Sequence, residues 1–422
     1  MENVGAPRQS ARRVGHQAAR QAARQAGLRR HNLALVLDHV ARAEPTGVSR
    51  ASVAEAAGLT RATVSSLVET LLALGLVEWA PATGPSSVGR PASPIRLARG
   101  RWAGLGLEVG ANQLAVAVVD LTGETLARAE VRGDFAARTP AATLEALAHL
   151  AERTWEQARA AAAGPTGRAR RAGPADHDNG PHGSPGSPEP VERPGLGALG
   201  VALAVPGIVR DGVVLDAPRL GWTDVDAARA LHARLARLTG AGPAPGVVVG
   251  NEATLAALAE AARRGPETFL YVSAGVGVGG ACVVDGQLQG GVHGFAGELG
   301  HVTVDPAGPL CRCGATGCLE QYAGATALAQ LAPAAVGRAV GIAVAGAVNV
   351  LDVGRVVLGG TLGPLLPAIG AAVDDELATR VLAYPWAPAA VEAALVTDLP
   401  ALRGAALAPV LETLADPERL EA

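Results

Sequence analysis

The chain has 422 residues, 49% of them hydrophobic, and a formal charge of −3; that is enough for two or three domains with real cores and excludes a disordered protein. All 36 basic residues are arginine, and residues 1–100 hold 13 of them against 6 acids, about +7, which leaves about −10 on the remainder. A basic head on an acidic body points to a polyanion partner at one end only, and the absence of a long uninterrupted apolar run or secretory leader predicts a cytoplasmic protein, no membrane partner and reduced cysteines.

Residues 1–28 read as a disordered basic start. Leu33, Val36, Leu37 and Val40 then recur at helical spacing and predict a helix from about Arg29 to Ala43. A short helix from about Arg50 to Ala57, a turn at Gly58-Leu59 and a longer helix capped by Thr60 follow. Val53, Leu59, Val64, Leu67, Val68 and Leu71 would pack between these helices, leaving Arg61, Ala62, Thr63, Ser65 and Ser66 near an exposed helix start. Leu76 to Trp79 and Ile95 to Leu97 can pair as a hairpin whose tip carries Arg90 between Gly89 and Pro91. A three-helix bundle with a hairpin would show the same spacing. Small and hydroxyl residues with an arginine at the helix start, together with the segment's positive charge, favour a winged helix-turn-helix over residues 29–99, with Arg61, Ala62, Thr63, Ser65, Ser66 and Arg90 facing double-stranded DNA. So short a head needs two copies on half-sites, hence a homodimer or homotetramer.

From residue 100 the pattern changes to strands. GLGLEVGANQLAVAVVDLTGETLARAEV alternates apolar runs with turns, and a helix from about Pro140 to Ala163 follows. Residues 164–195, rich in Gly, Pro, Ser and Arg, read as a mobile surface insertion. Its His177 and His182 lack ligand-spaced companions and read as solvated. Strands at GALGVALAVPGIV and GVVVG, a helix from Glu252 to Arg264, strands in FLYVSAGVGVGGACVV, a helix from about Ala335 to Leu351 and the strand RVVLGG complete the body. Pro218, Leu220 and Trp222 fit either a cleft rim or a packed turn. Two repeats of strands followed by helices predict a two-lobed α/β body with a cleft between the lobes.

Three of the four cysteines, Cys311, Cys313 and Cys318, fall within eight residues, with His301 just upstream. Three thiolates and an imidazole complete a tetrahedron around a soft divalent ion with no open position, so the set predicts structural Zn2+ and argues against a zinc hydrolase. Cys282, in an apolar run, reads as a buried small hydrophobe.

The winged helix with its GRP wing, VSAGVGVGGA, AGELGH from Ala296 to His301 and CRCGATGCLE through Glu320 resemble the ROK family of bacterial repressors and sugar kinases. The resemblance covers nearly the whole chain. It implies a sugar-kinase-like body over residues 100–422, of the actin-like ATPase and ribonuclease H-like kind. It also implies a sugar pocket beside the zinc, in which Asn251, Glu252, Glu298, His301 and Glu320 hydrogen-bond hydroxyls and His301 also serves the metal.

A family kinase carries an aspartate before Gly-Gly-Thr, a Gly-Thr-Gly loop and a catalytic aspartate after the asparagine. Here those positions read Glu108 to Asn112, Gly275-Val276-Gly277 and Glu252. A base displaced by about 1 Å costs on the order of a hundredfold in rate. The resemblance therefore implies a regulator, a repressor in the first instance, that senses a sugar or sugar derivative without phosphorylating it. A glucokinase-like enzyme with an attached DNA-binding domain is the alternative. Between Tyr322 and Val336 the chain is shorter than is usual in the family, so one or two helices of the second lobe are expected to be missing.

Overall fold

The computed structural model describes residues 27–80, 94–163, 195–239 and 246–420. The basic start, the wing tip with Arg90 and the segment 164–194 with its two histidines lie outside the described residues.

Residues 27–42 form α1, which buries Leu33, Val36, Leu37 and Val40. α2 (Arg50–Ala57) and α3 (Arg61–Ala73) pack on that stripe through Val53, Val64, Leu67, Val68 and Leu71. Gly58, at φ 66°, closes α2 in the left-handed region. β1 (Val77–Trp79) and β2 (Ile95–Leu97) pair antiparallel and close the head with Leu76, Ile95 and Leu97.

The body contains the same sheet twice. In the first lobe β3 (Trp102–Val109), β4 (Gln113–Asp120) and β5 (Thr125–Arg132) form a meander. After α4 (Pro140–Ala163), β6 (Gly197–Val205) adds parallel to β3. A small sheet of β7 (Ile208–Arg210), β8 (Val213–Ala217) and β9 (Trp222–Asp226) and the helix α5 (Ala227–Leu235) precede β10 (Val247–Asn251), which pairs parallel to β6. The strand order is β10-β6-β3-β4-β5.

α6 (Glu252–Arg264) leads into the second lobe, where β11 (Phe269–Ala274), β12 (Val278–Val284) and β13 (Gln287–Leu288) form the second meander. Two single-turn helices, α7 (Glu320–Ala323) and α8 (Ala325–Leu328), precede α9 (Pro333–Leu351). β14 (Arg355–Gly360) and, after α10 (Leu362–Arg380), β15 (Ala390–Ala393) complete the order β13-β12-β11-β14-β15. Each sheet thus has its first meander strand central, the other two meander strands to one side and two parallel additions to the other.

α11 (Pro400–Ala415) then returns to the first lobe and packs across β3, β4 and β6, while α6 lies against α11 and the second sheet. A Cβ on Gly106 of β3 would come within 2.4 Å of the Ala406 amide nitrogen, so helix and sheet meet backbone to backbone. On the opposite face of the first sheet α4 buries Trp155, Leu144 and Leu147.

Of the two readings left open for Pro218, Leu220 and Trp222, packing holds for Leu220 in the turn and Trp222 at the start of β9, core residues of the first lobe at 1% and 0% exposure, while Pro218 and its neighbour Arg219 face the cleft. One expectation changes. α9 is long and apolar enough to cross a membrane by length and composition, contrary to the reading that no segment is; here it is a core helix packed on α10.

Candidate functional site

The residues just beyond the carboxyl end of β6, the carboxyl end of β10, the β11–β12 turn and the segment 292–301 surround an interlobe cleft of about 850 Å³. Asn251 ends β10 and caps α6. Its Oδ1 accepts from the Ala253 amide at 2.8 Å and from Thr254 at 3.4 Å, and its Nδ2 donates to the Gly207 carbonyl at 2.9 Å. That anchoring leaves Nδ2 one free hydrogen and sets Glu252, the first residue of α6, into the cleft.

The AGELGH segment is fixed by close approach. A Cβ on Gly300 would fall 2.1 Å from the Val278 carbonyl oxygen, so the loop lies directly on β12 and brings Glu298 and His301 to the cleft wall. Downstream, the Leu319 amide donates to the Val302 carbonyl at 2.9 Å, which places Glu320 at the start of α7 beside them.

His301, Cys311, Cys313 and Cys318 converge, with ligand atoms all within 4.8 Å of one another. Cys313 Sγ and Cys318 Sγ are 3.6 Å apart, and Cys311 Sγ is 3.8 Å from His301 Nδ1. A tetrahedral ion with bonds of about 2.3 Å needs sulfurs about 3.8 Å apart, so the donor set fits a divalent metal. Burial and the neighbouring thiols push Cys318 up to about 12, a barrier to ionisation that a bound cation removes. With Nδ1 on the metal side, His301 keeps Nε2 on the far side of the ring. Cys282 is buried away from this cluster, in the second-lobe core.

All five sugar candidates line the cleft: Asn251, Glu252, Glu298, His301 and Glu320. Burial raises the pKa of Glu252, opposed by the nearby Arg219, and burial also raises that of Glu298. Glu108, at the end of β3, is pushed to about 7 by burial and by the charge of Glu252; its Oε2 is buried without a hydrogen-bond partner.

The residues 275–277 form the β11–β12 turn, and an internal carboxylate engages it. Glu320 Oε2 accepts from the Val278 amide at 3.2 Å, while Arg219 reaches across from the first lobe to donate to the Val276 carbonyl at 2.6 Å. Arg219 stands in a segment read only for its apolar neighbours; nothing in its local sequence signals this cross-cleft contact.

In the head, Arg61, Ala62 and Ser66 are exposed and Thr63 and Ser65 half-buried, on one end of α3. Thr60 Oγ1 caps the Thr63 amide at 3.1 Å, and Ser49 Oγ caps Ser52 in the same way at 3.1 Å. SRAS and TRAT therefore start both helices with one local structure, a repeat legible in the sequence but overlooked there. Arg50, from the first of them, stands 5.3 Å over the Trp79 ring.

A family model described as the ROK family matches residues 191–335, and one for the IclR helix-turn-helix domain matches residues 32–81. The kanosamine kinase of Amycolatopsis mediterranei is 32% identical over 243 residues, covering 51% of this chain and 78% of that protein.

The chain belongs to the ROK family.

Within the family, the xylose repressor of Bacillus subtilis is 29% identical over 303 residues, 70% of this chain and 66% of the repressor. The chain spans 64–66% of the length of three curated xylose repressors that it matches, just under two thirds. A solved ROK family transcriptional regulator, a homolog of the E. coli MLC protein, covers 94% of this chain and all of its own at a TM-score of 0.69 and 20% identity. At that identity it shows the fold: a helix-turn-helix head on a ROK sugar-kinase-like body.

Proposed function

We propose that this ROK protein is a cytoplasmic DNA-binding transcriptional regulator, a repressor, that senses a sugar or sugar derivative in the interlobe cleft without phosphorylating it. The observation that carries the reading is the path of α11. The helix packs on α6, which starts at Asn251 and Glu252, and ends in the core of the head through Val410 and Leu414. Arg30 of α1 pairs with Asp416 and Glu418 at 3.3 Å just beyond it. A shift of α6 upon ligand binding therefore has a packed route to the DNA-binding helices.

Asn251, Glu252, Glu298, His301 and Glu320 are assigned to sugar hydroxyls, the carboxylates accepting and the asparagine donating its remaining hydrogen. The metal is assigned as Zn2+ on His301, Cys311, Cys313 and Cys318, where it would tie the Glu298 loop to Glu320. Two heads, from a dimer or tetramer, would bind a roughly palindromic operator, with Arg61, Ala62, Thr63, Ser65, Ser66 and Arg90 facing DNA. Relatives named as xylose repressors support regulation. Against phosphoryl transfer stand two cleft carboxylates: Glu320 occupies the Val278 amide at the β11–β12 turn, and Glu252 would meet any incoming polyphosphate with negative charge. The kanosamine kinase relative keeps the enzyme as the second reading.

Calorimetric titration of the purified chain with a panel of monosaccharides, beside a coupled ATP-consumption assay, separates the two. Saturable sugar binding without ATP turnover is expected; sugar-dependent ATP consumption would replace the sensor with the kinase.

A further inference from the structure

A second cavity, of about 710 Å³, lies where the head meets the body, remote from the sugar cleft. Leu72, Gly75 and Val77 of the head line one side and Ala160, Ala163 and Leu196 of the body the other. Three arginines, Arg99, Arg101 and Arg159, reach it against two acids, Glu78 and Glu156. Four of these five charges are already engaged. Arg99 pairs with Glu44 and Glu124, Arg159 with Glu156, and Glu78 with Arg96.

Arg101 is different. Its side chain lies flat over Gly75, where a Cβ would come within 1.7 Å of Nε, so the glycine is what admits it. That Nε is buried and donates to nothing, and among the described residues the guanidinium has no acidic partner. The carbonyl end of α3 is adjacent and helps to hold the cation there. A buried donor without an acceptor costs about 1–3 kcal/mol, a cost that a bound anion would remove.

We propose that this junction cavity is a second ligand site, taking a small molecule with a carboxylate or phosphate group held by Arg101 and an apolar body against Leu72, Val77 and Leu196. The site does not depend on the sugar reading. Because its two walls belong to the head and to the body, an occupant would bias how the head is presented.

The test is calorimetry on the full chain with citrate, inorganic phosphate and phenyl phosphate, none of them a sugar, each matched in ionic strength by sodium chloride. At least one anion should bind saturably, one per chain, so that the carboxylate and phosphate arms identify the favoured group. Arg101→Gln should weaken that binding at least tenfold. So should Ala160→Phe, which narrows the cavity from the α4 side, leaves Arg101 in the sequence and carries the test if the arginine variant does not fold. Glu298→Gln, in the sugar cleft, should leave it unchanged. Absence of saturable binding by all three anions would overturn the proposal, as would wild-type affinity in both junction variants or loss of binding in Glu298→Gln.

Discussion

Gly404 of α11 rests on the backbone of Leu255 in α6: a Cβ at Gly404 would come within 1.7 Å of the Leu255 carbonyl oxygen. The two helices lie between the two sheets, and one begins at the sugar cleft while the other ends in the head. Any side chain at position 404 must drive them apart. Gly404→Ala should therefore destabilise the chain by about 1–3 kcal/mol, the usual range for overpacking a tight contact. Urea unfolding checks it, and an unchanged midpoint would mean the contact is slack.

The proposed metal assignment makes the second lobe dependent on the thiol cluster. Cys313→Ser should lose the bound ion and melt well below the wild type, since a structural zinc site supplies on the order of 10 kcal/mol of apparent folding free energy. Metal content of the purified proteins and thermal denaturation with and without chelator are the readouts. Metal-free wild-type protein or an unchanged melting temperature in the variant would remove the structural-metal reading, and full metal occupancy in the variant would remove Cys313 from the ligand set.

Glu108 gives a pH dependence of definite sign. Its carboxyl is raised from 4.5 to about 7 in the folded chain, by burial first and by Glu252 second. Between those values the unfolded chain releases a proton that the folded chain keeps, so stability falls as pH rises from about 4.5 to about 7. The shift corresponds to on the order of 3 kcal/mol, fully lost above pH 7. Glu108→Gln should melt higher than the wild type at pH 8 and close to it at pH 4.5. Equal melting temperatures at both pH values would show that the carboxyl is solvated.

Arg61 and Arg50 begin two helices of identical local structure, yet they should act differently on DNA. Arg61 stands at the start of the recognition helix, and Arg61→Ala should cost about 1–3 kcal/mol on the specific operator and less on random DNA. Arg50, stacked on Trp79 at the base of the wing, should act as a phosphate contact. Arg50→Ala should weaken specific and random DNA alike and reduce the salt slope by about 1. Anisotropy titrations over a salt series distinguish them, and specificity loss in the Arg50 variant would reverse the assignment.

How much was legible depended on whether the signal was local. The start of α3 follows from Thr60 as a cap, and the candidate metal set from ligand spacing, because each signal lies within a stretch of fewer than twenty residues. Between Tyr322 and Val336 lie the end of α7, the single turn of α8 and the first residues of α9. Leu220 lies in a turn and Trp222 at the start of the short strand β9, segments too brief for periodicity to tell rim from core. The apolar composition of α9 was underestimated because Arg338 interrupts it; that arginine pairs with Glu376 on the surface. Arg219 and Arg101 were invisible for a different reason. Their significance lies in what they meet across a cleft or a domain junction, which only the closed fold brings together.

The central claim is that sugar in the cleft and DNA on the head are coupled through one chain. Its most direct test is the affinity of the full protein for a labelled fragment of its own upstream DNA, at fixed salt, with and without a sugar at concentrations that saturate the cleft. The predicted change is about 5- to 150-fold, absent in Glu298→Gln while that variant's sugar-free DNA affinity stays at the wild-type value. Unchanged DNA affinity with the cleft demonstrably filled would contradict the account.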